Sequence, residues 1–340
     1  MTVALQEKSR TAPPPAAIAR LASPRPRVLE LVVWLLPVLA WFLFPDNLML
    51  GVAIMTYAIA VLGLDLVLGY AGIVSLGHAA FFGIGAYTAG LLSVHGWREP
   101  ITGLLAAGAV ALAVGLATSF LVVRGKDLTR LMVTLGIGLV VYEIANQASG
   151  ITGGIDGLSG IEMDPILGLF PFDLYGRTAW WYAYAVSLVV FVYLRFVVAS
   201  PYGLSLAAIR EGVRRMPALG VSVEGRLRLA FAFSAGIAGI AGGLLAQTTQ
   251  FVGVDSLSVN RASDFLVMLV LGGTGRLYGA LIGTAVFMIA KEYLADLDPV
   301  YWEFWMGVML MAVVLLARGG IVGALFRLPA LRGRMGRGSQ

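Results

Sequence analysis

Apolar runs of close to twenty residues, separated by short clusters of charged residues, recur along most of the chain. A helix needs about 20 predominantly apolar residues, in a range of roughly 17–25, to cross the hydrocarbon core of a bilayer. On that measure the pattern predicts ten membrane segments, at 28–44, 48–68, 72–94, 101–123, 128–148, 179–198, 229–250, 262–274, 277–293 and 301–317. The eighth is short and runs into Gly272-Gly273-Thr274-Gly275, which predicts a broken or steeply bent element. The Gly-rich third is expected to be discontinuous as well. The fold class that follows is all-α: a polytopic membrane helix bundle of about ten transmembrane segments, with one or two discontinuous helices. Reading 262–274 as a re-entrant loop is the alternative, giving eight full crossings and two partial ones.

Charge placement orients these segments. With the N-terminus cytoplasmic and the segments alternating, the basic residues of 1–27, 124–130, 199–228 and 318–340 all fall on the cytoplasmic side, with Arg276. The other side keeps Arg98, Arg177, Arg261 and Lys291, and is otherwise acidic, with Asp46, Glu99, Asp156, Glu162, Asp164 and Asp173 among its residues. This satisfies the positive-inside rule with both termini cytoplasmic. The Pro-rich, polar stretch 1–27 reads as a flexible basic tail and lacks the layout of a secretory signal. Residues 28–317 form the transmembrane domain, and 318–340 are a second basic cytoplasmic tail. Two loops are long: an external one at 149–178 and a cytoplasmic one at 199–228. The latter has helix-forming character over Leu204–Arg215, consistent with a short helix along the membrane surface.

Composition narrows the chemistry. Apolar residues make up 59% of the 340 residues and charged residues 13%, about half the usual ~25%. Those proportions exclude an ordinary soluble enzyme, a disordered chain and a nucleic-acid-binding domain, so the lipid bilayer is a partner and nucleic acid is not. There is no cysteine, and His78 and His95 are the two histidines, which argues against a metal site, a thiol nucleophile or a Ser-His-Asp hydrolase. No G-x-x-x-x-G-K-[ST] run occurs, so the chain does not hydrolyse ATP through a P-loop. Gly273-Thr-Gly275-Arg-Leu-Tyr-Gly279 superficially resembles a dinucleotide turn but lacks its spacing and a preceding strand. No catalytic residue and no resident cofactor are expected.

Glycine, by contrast, is abundant, with 43 residues. Lipid tails are as apolar as leucine, so membrane helices associate through close packing of small residues. Gly239-x-x-x-Gly243 and Gly279-x-x-x-Gly283 have the spacing for such packing, or for faces that line a path or slide during gating. The run Gly69-Tyr-Ala-Gly-Ile-Val-Ser-Leu-Gly-His78 is sharper, because glycines, a serine and a histidine interrupt a membrane segment. Unwound backbone at membrane depth is tolerated where protein buries it or where it lines a cavity, and discontinuous helices often flank transport sites. Asp65 and Glu143 also fall within predicted helices. A charged Asp at a helix centre costs about 2.5–3.5 kcal/mol to insert, so such residues mark a pathway, pair with arginine, or snorkel to an interface. His78 satisfies carbonyls at a helix break in preference to relaying protons. The candidate pathway residues are thus Asp65, Gly72, Ser75, Gly77, His78, Glu143 and the external Thr152, Gly153 and Gly154.

Several runs together are similar to one family. They are Gly69–Tyr87, Arg124-Gly-Lys-Asp-Leu128 with Val133-Thr-Leu-Gly136, Thr152–Gly160, Ser200–Glu211, Leu271–Gly279 and Ala317-Arg-Gly-Gly-Ile-Val-Gly323. Their order, over roughly residues 30–325, resembles the M-type permease subunit of branched-chain amino acid ABC importers of the bacterial inner membrane. The resemblance implies a second homologous permease subunit, two ABC ATPase subunits that bind ATP-Mg and hydrolyse it, and a periplasmic solute-binding protein. It also implies that the 199–228 loop holds a coupling helix docking into the ATPases, with Arg210, Glu211, Ala218, Leu219 and Gly220 as its contacts. Where the family usually has Ala-Glu before Ala-Leu-Gly, this chain has Met216-Pro217, and proline predicts that the coupling helix ends or kinks there. The competing reading is an ATP-independent secondary transporter or channel, which the ten helices and intramembrane carboxylates also suit. The resemblance favours branched-chain amino acids as cargo, with other amino acids, amides, urea and small aromatic acids as alternatives.

Overall fold

The computed structural model describes residues 28–125, 127–166, 168–173, 175–316 and 320–323. The tail 1–27, and the tail 318–340 apart from 320–323, lie outside the described residues. The chain divides after Leu43. The first unit contributes α1 (Val28–Leu43), an apolar helix with Pro37 inside it. In the second unit α2 (Leu48–Asp65) passes into a π-helical turn at Leu66–Tyr70, and α3 (His78–Val94) follows after an irregular stretch. Then come α4 (Pro100–Arg124), α5 (Asp127–Gln147), the single turn α6 (Ser149–Thr152), α7 (Arg177–Ala199) and α8 (Pro201–Gly212). The chain continues with α9 (Val223–Thr249), α10 (Val259–Gly272), α11 (Leu277–Leu297) and α12 (Trp302–Leu316). Among the described residues there is no strand, only isolated bridges such as Leu158 with Val252.

Six stretches are long and apolar enough to cross a membrane: Pro45–Tyr70, Pro100–Arg124, Leu128–Gln147, Arg177–Ala199, Val223–Thr249 and Leu277–Leu297. Val33–Leu43, His78–Val94 and Trp302–Val313 are apolar but shorter. The third predicted segment is interrupted: its helix starts at His78, six residues after the expected Gly72. α10 has 14 residues, or roughly 21 Å at 1.5 Å each, less than the ~30 Å hydrocarbon core. α9 starts at Val223, before the apolar run at 229, because its first turns satisfy their charges by pairing along the helix. Glu224 and Arg228 pair across one turn at 2.7 Å, and the Arg228 guanidinium lies over the Phe120 ring.

α9 is the hub, packing most heavily on α4, α3 and α2. Glycine makes that possible. A Cβ at Gly85 would land on the Gly239 carbonyl, and one at Gly242 on the Phe82 carbonyl. Backbone therefore meets backbone, the close approach by which helices associate when no hydrophobic effect separates them from lipid. Gly272 meets Gly279 and Gly283 in the same way, which crosses α10 tightly on α11. Helix starts are fixed by local chemistry: Glu99 accepts from Thr102 N–H at 3.0 Å beside Pro100, and Ser258 accepts from Arg261 N–H at 3.1 Å.

Candidate functional site

The broken segment between α2 and α3 builds two adjoining clusters. In the first, Leu66–Tyr70 winds as a π-turn, with Ala71 N–H donating to the Leu66 carbonyl at 3.2 Å. Ile73 N–H then closes on the Val67 carbonyl at 2.9 Å, and Gly72 turns the chain with a φ of 74°, which glycine adopts at little cost. Asp65, at the last position of α2, is fully buried and accepts from Gly275 N–H at 2.7 Å. Gly69 faces both partners: a Cβ there would strike the Asp65 carboxylate and the Gly275 nitrogen. Its carbonyl accepts from Nη1 of Arg210, which reaches in from α8. The Arg210 stem closes the cluster, with its Cγ 2.9 Å from where a Gly72 Cβ would stand. Thus a helix of the long loop touches both the π-turn and the Gly275 turn between α10 and α11.

The second cluster is centred on His78, buried and surrounded edge-on by the Phe81 and Phe231 rings, 6.0 and 6.1 Å away. Ser234 of α9 donates its single hydroxyl proton to the Gly63 carbonyl. Its oxygen, 2.6 Å from His78 Nε2, must therefore accept, which fixes a proton on Nε2. Nδ1, 3.1 Å from Ser75 Oγ, is left to accept from that hydroxyl, and Ser75 Oγ accepts Gly77 N–H at 3.3 Å. One residue on, Leu76 N–H donates to Thr134 Oγ1 at 3.2 Å, and a Cβ at Gly77 would meet the Thr134 carbonyl. Both ring nitrogens are engaged, so His78 staples the non-helical stretch to α2 and α9. Its ring meets two serine hydroxyls and no carbonyl, so it holds the break through Ser75 and Ser234 rather than by satisfying backbone carbonyls directly, as the sequence suggested.

The remaining expected residues lie elsewhere. Thr152 Oγ1 donates to the Ala145 and Ala148 carbonyls at 2.5 and 2.9 Å, closing the end of α5. Gly153, Gly154 and Gly157 have φ of 78°, 58° and 75°, and the loop they shape is pinned to Val252 by the bridge at Leu158. Glu143 is exposed on α5 and accepts from Gln147 Nε2 at 2.6 Å, apart from both clusters. Within the long loop the helix is Pro201–Gly212, capped by Ser200, and so ends four residues before Met216. Met216 is buried, Pro217 begins a 3₁₀ turn over Pro217–Leu219, and Gly220 leaves that turn at a φ of 75°. Glu211, Ala218, Leu219 and Gly220 are exposed, and Leu219 is 74% accessible.

The structure thus joins Asp65 and Gly72 to Arg210, and Ser75 and Gly77 to His78. It leaves Glu143, the 152–154 turn and the 218–220 tip separate. Gly69, Thr134, Ser234 and Gly275 belong to the clusters but were not among the expected site residues. Lone hydroxyls in apolar segments were the available signal for Thr134 and Ser234. No group of three or more His, Cys, Asp or Glu side chains that could hold a metal occurs among the described residues.

Comparison with known proteins bears on what this arrangement serves. The family described as "Branched-chain amino acid transport system / permease component" matches residues 48–316. The high-affinity branched-chain amino acid transport system permease protein LivM of Escherichia coli (strain K12) is 30% identical over 316 residues, covering 86% of this chain and 74% of that protein. LivH of the same organism is 23% identical over 303 residues, covering 79% and 91%. BraD of Pseudomonas aeruginosa is 25% identical over 292 residues, covering 79% and 92%. No solved structure matches the chain. With membrane-capable helices throughout and both a family pattern and a relative covering most of its length, the chain belongs to the branched-chain amino acid ABC transporter permease family and is a transport component, not an enzyme.

Proposed function

We propose that the chain is one permease of an ATP-driven importer in the bacterial inner membrane, moving branched-chain amino acids or related small polar solutes handed over by a periplasmic binding protein. A second homologous permease and two ATPase subunits carrying ATP-Mg complete the assembly. In this reading 28–317 cross the membrane ten times between cytoplasmic tails 1–27 and 318–340, with α10 as the bent eighth element. The observation that carries the reading is the hydrogen bond from Arg210 of α8 to the Gly69 carbonyl. It gives a helix of the basic loop a direct hold on a broken membrane segment. The ATPases would grip the exposed tip Ala218-Leu219-Gly220, beside Glu211. Displacement of α8 would then move the π-turn and the Gly72–Gly77 stretch together, while the His78 staple keeps that stretch anchored to α9.

Glu143 suits the pairing face. A carboxylate facing lipid is costly, and α5 is exposed along most of its length, with Leu128, Met132, Leu139, Val140 and Ile144 all uncovered. Covering by the second permease would place Glu143 and the 152–154 turn along the path between subunits. The experiment is uptake of labelled leucine into proteoliposomes containing the assembled subunits, with liganded binding protein outside and ATP inside. Uptake that requires ATP hydrolysis supports the reading. Gradient-driven uptake by this chain alone, without ATP, would overturn it.

A further inference from the structure

The run Arg124-Gly-Lys-Asp-Leu128 belongs to neither cluster. It leads from the end of α4 into α5. Along most of their contact α4 and α9 meet through small residues: a Cβ at Gly239 would land on Ala107 and Ala111, and one at Gly115 on Ala235. That seam ends at Phe120, whose ring carries the Arg228 guanidinium, with Cζ 4.5 Å from the ring centroid. Leu116, Phe120 and Arg124 follow one another at i, i+4 and i+8, so they form a stripe of neighbours on α4, two apolar and then one basic. Leu116 and Phe120 are exposed, as is Leu229 next to Arg228.

Contacts within the chain do not use up the charge gathered here. Arg130 of α5 reaches back to the end of α4, its Nη2 3.5 Å from the Val123 carbonyl, and so answers the negative pole of that helix. Arg228 pairs with Glu224 at 2.7 Å. Arg124 is exposed and has no hydrogen bond or ion pair among the described residues. α4 is long and apolar enough to cross a membrane and Arg124 ends it, which puts this guanidinium at the depth of lipid headgroups.

We propose that the end of α4 and the start of α9 form a binding site for an anionic phospholipid. The phosphate is held by Arg124 and Arg228, whose planar forks match its oxygens. One acyl chain lies along Leu116, Phe120 and Leu229. Phe120 serves both ends of the site, since its face also holds Arg228 in position. Charge selects the occupant. A phosphate with no ammonium beside it gains most from three arginines set against the one carboxylate that pairs with them, Glu224. The exposed apolar stripe below fits an acyl chain, and a soluble anion or an acidic protein segment would leave it unused.

The test uses the purified assembly in phosphatidylcholine proteoliposomes. These carry a trace of phosphatidylglycerol, or of phosphatidylcholine, with a diazirine in the acyl chain. Labelled peptides are identified by mass, and Val189, exposed on α7, sets the level of unselective lipid contact. The phosphatidylglycerol probe should label Leu116, Phe120 or Leu229 about tenfold more than the phosphatidylcholine probe, relative to Val189. An arginine near anionic lipid is worth a factor of about five. Arg124→Gln should therefore cut that ratio about fivefold, and Arg124→Lys should keep most of it. Arg228→Gln should act like Arg124→Gln in assemblies that elute intact. Arg124 bonds to nothing in the protein, so its variants read the site even if Arg228→Gln does not assemble. Millimolar glycerol 3-phosphate should leave the ratio unchanged. Equal labelling by the two probes, or a ratio untouched by Arg124→Gln, would overturn the proposal. So would loss of the ratio to glycerol 3-phosphate, which would make a soluble anion the occupant. Labelling of Val189 with none on the stripe would overturn it too, as a covering protein would produce.

Discussion

Asp65→Asn and Asp65→Leu test whether the contact between α8 and the π-turn transmits work. Asp65 accepts from Gly275 N–H at 2.7 Å in a fully buried place. A hydrogen bond to a charged group is worth about 1.5–3 kcal/mol and a neutral one about 0.5–1.5 kcal/mol. Asparagine keeps an acceptor of the same shape, so the change weakens the Gly275 tie by about 1 kcal/mol. Leucine strands the Gly275 N–H and removes the negative charge near Arg210, for about 2–3 kcal/mol. Since 1.4 kcal/mol is tenfold in an equilibrium, the ratio of ligand-stimulated to basal ATP hydrolysis should fall about fivefold for Asn and to near unity for Leu. Gly69→Ala should act similarly without altering charge, because its methyl would strike the Asp65 carboxylate and the Gly275 nitrogen. The assay is ATP hydrolysis by the purified complex with and without liganded binding protein, on variants that elute as intact assemblies. A stimulation ratio unchanged in Asp65→Leu and in Arg210→Gln would refute the mechanical role of this cluster.

Three further outcomes are expected. Ser234→Ala leaves the Gly63 carbonyl and His78 Nε2–H without their partner, and Ser75→Ala leaves His78 Nδ1 and Gly77 N–H without theirs, so each should lower the thermal unfolding midpoint in detergent; a midpoint unchanged in both would discount the His78 staple. Gly220 stands at a φ of 75° with nothing within 4 Å of a Cβ, so the strain is in the backbone alone: Gly220→Val should lower ligand-stimulated hydrolysis, while Gly220→Asn, which tolerates that conformation, should retain most of it. Glu143→Leu should leave the melting of the isolated chain unchanged, because its recorded bond is to Gln147 at 2.6 Å, yet cut leucine uptake by the assembled importer by about tenfold if a contact of about 1.4 kcal/mol is lost; unimpaired uptake would remove it from the path.

Much of the architecture was legible because membrane helices must satisfy their own backbone, so apolar length marks them directly. The break before α3 was legible too, since Gly72, Ser75 and Gly77 interrupt an otherwise apolar run. Helix ends among charged residues were not. α9 begins at Val223, among charges that an apolar count discards, and α8 ends at Gly212 rather than near Met216. The clusters themselves were only half visible. Arg210 and Gly69 are 141 residues apart, and Asp65 and Gly275 are 210 apart, so no local spacing announces either contact. Which helix faces stay uncovered was hidden for a different reason. Lipid is as apolar as a protein core, so the exposed face of α5 and the buried face of α2 carry the same kind of residues. Glu143 was conspicuous in sequence, yet its outward position emerges only from packing.

The most direct test of the central claim is photocrosslinking from the tip of the long loop in intact membranes. A photoreactive side chain at Leu219, exposed beyond the 3₁₀ turn, should capture the ATP-hydrolysing subunit, identified by its peptides, and capture should change when ATP hydrolysis is blocked. The same group at Val189, exposed on α7, serves as the lipid-facing control. Capture of that subunit from Leu219 and not from Val189 is the result predicted. Leu219 crosslinks confined to lipid, in membranes where the chain still moves solute, would contradict the account.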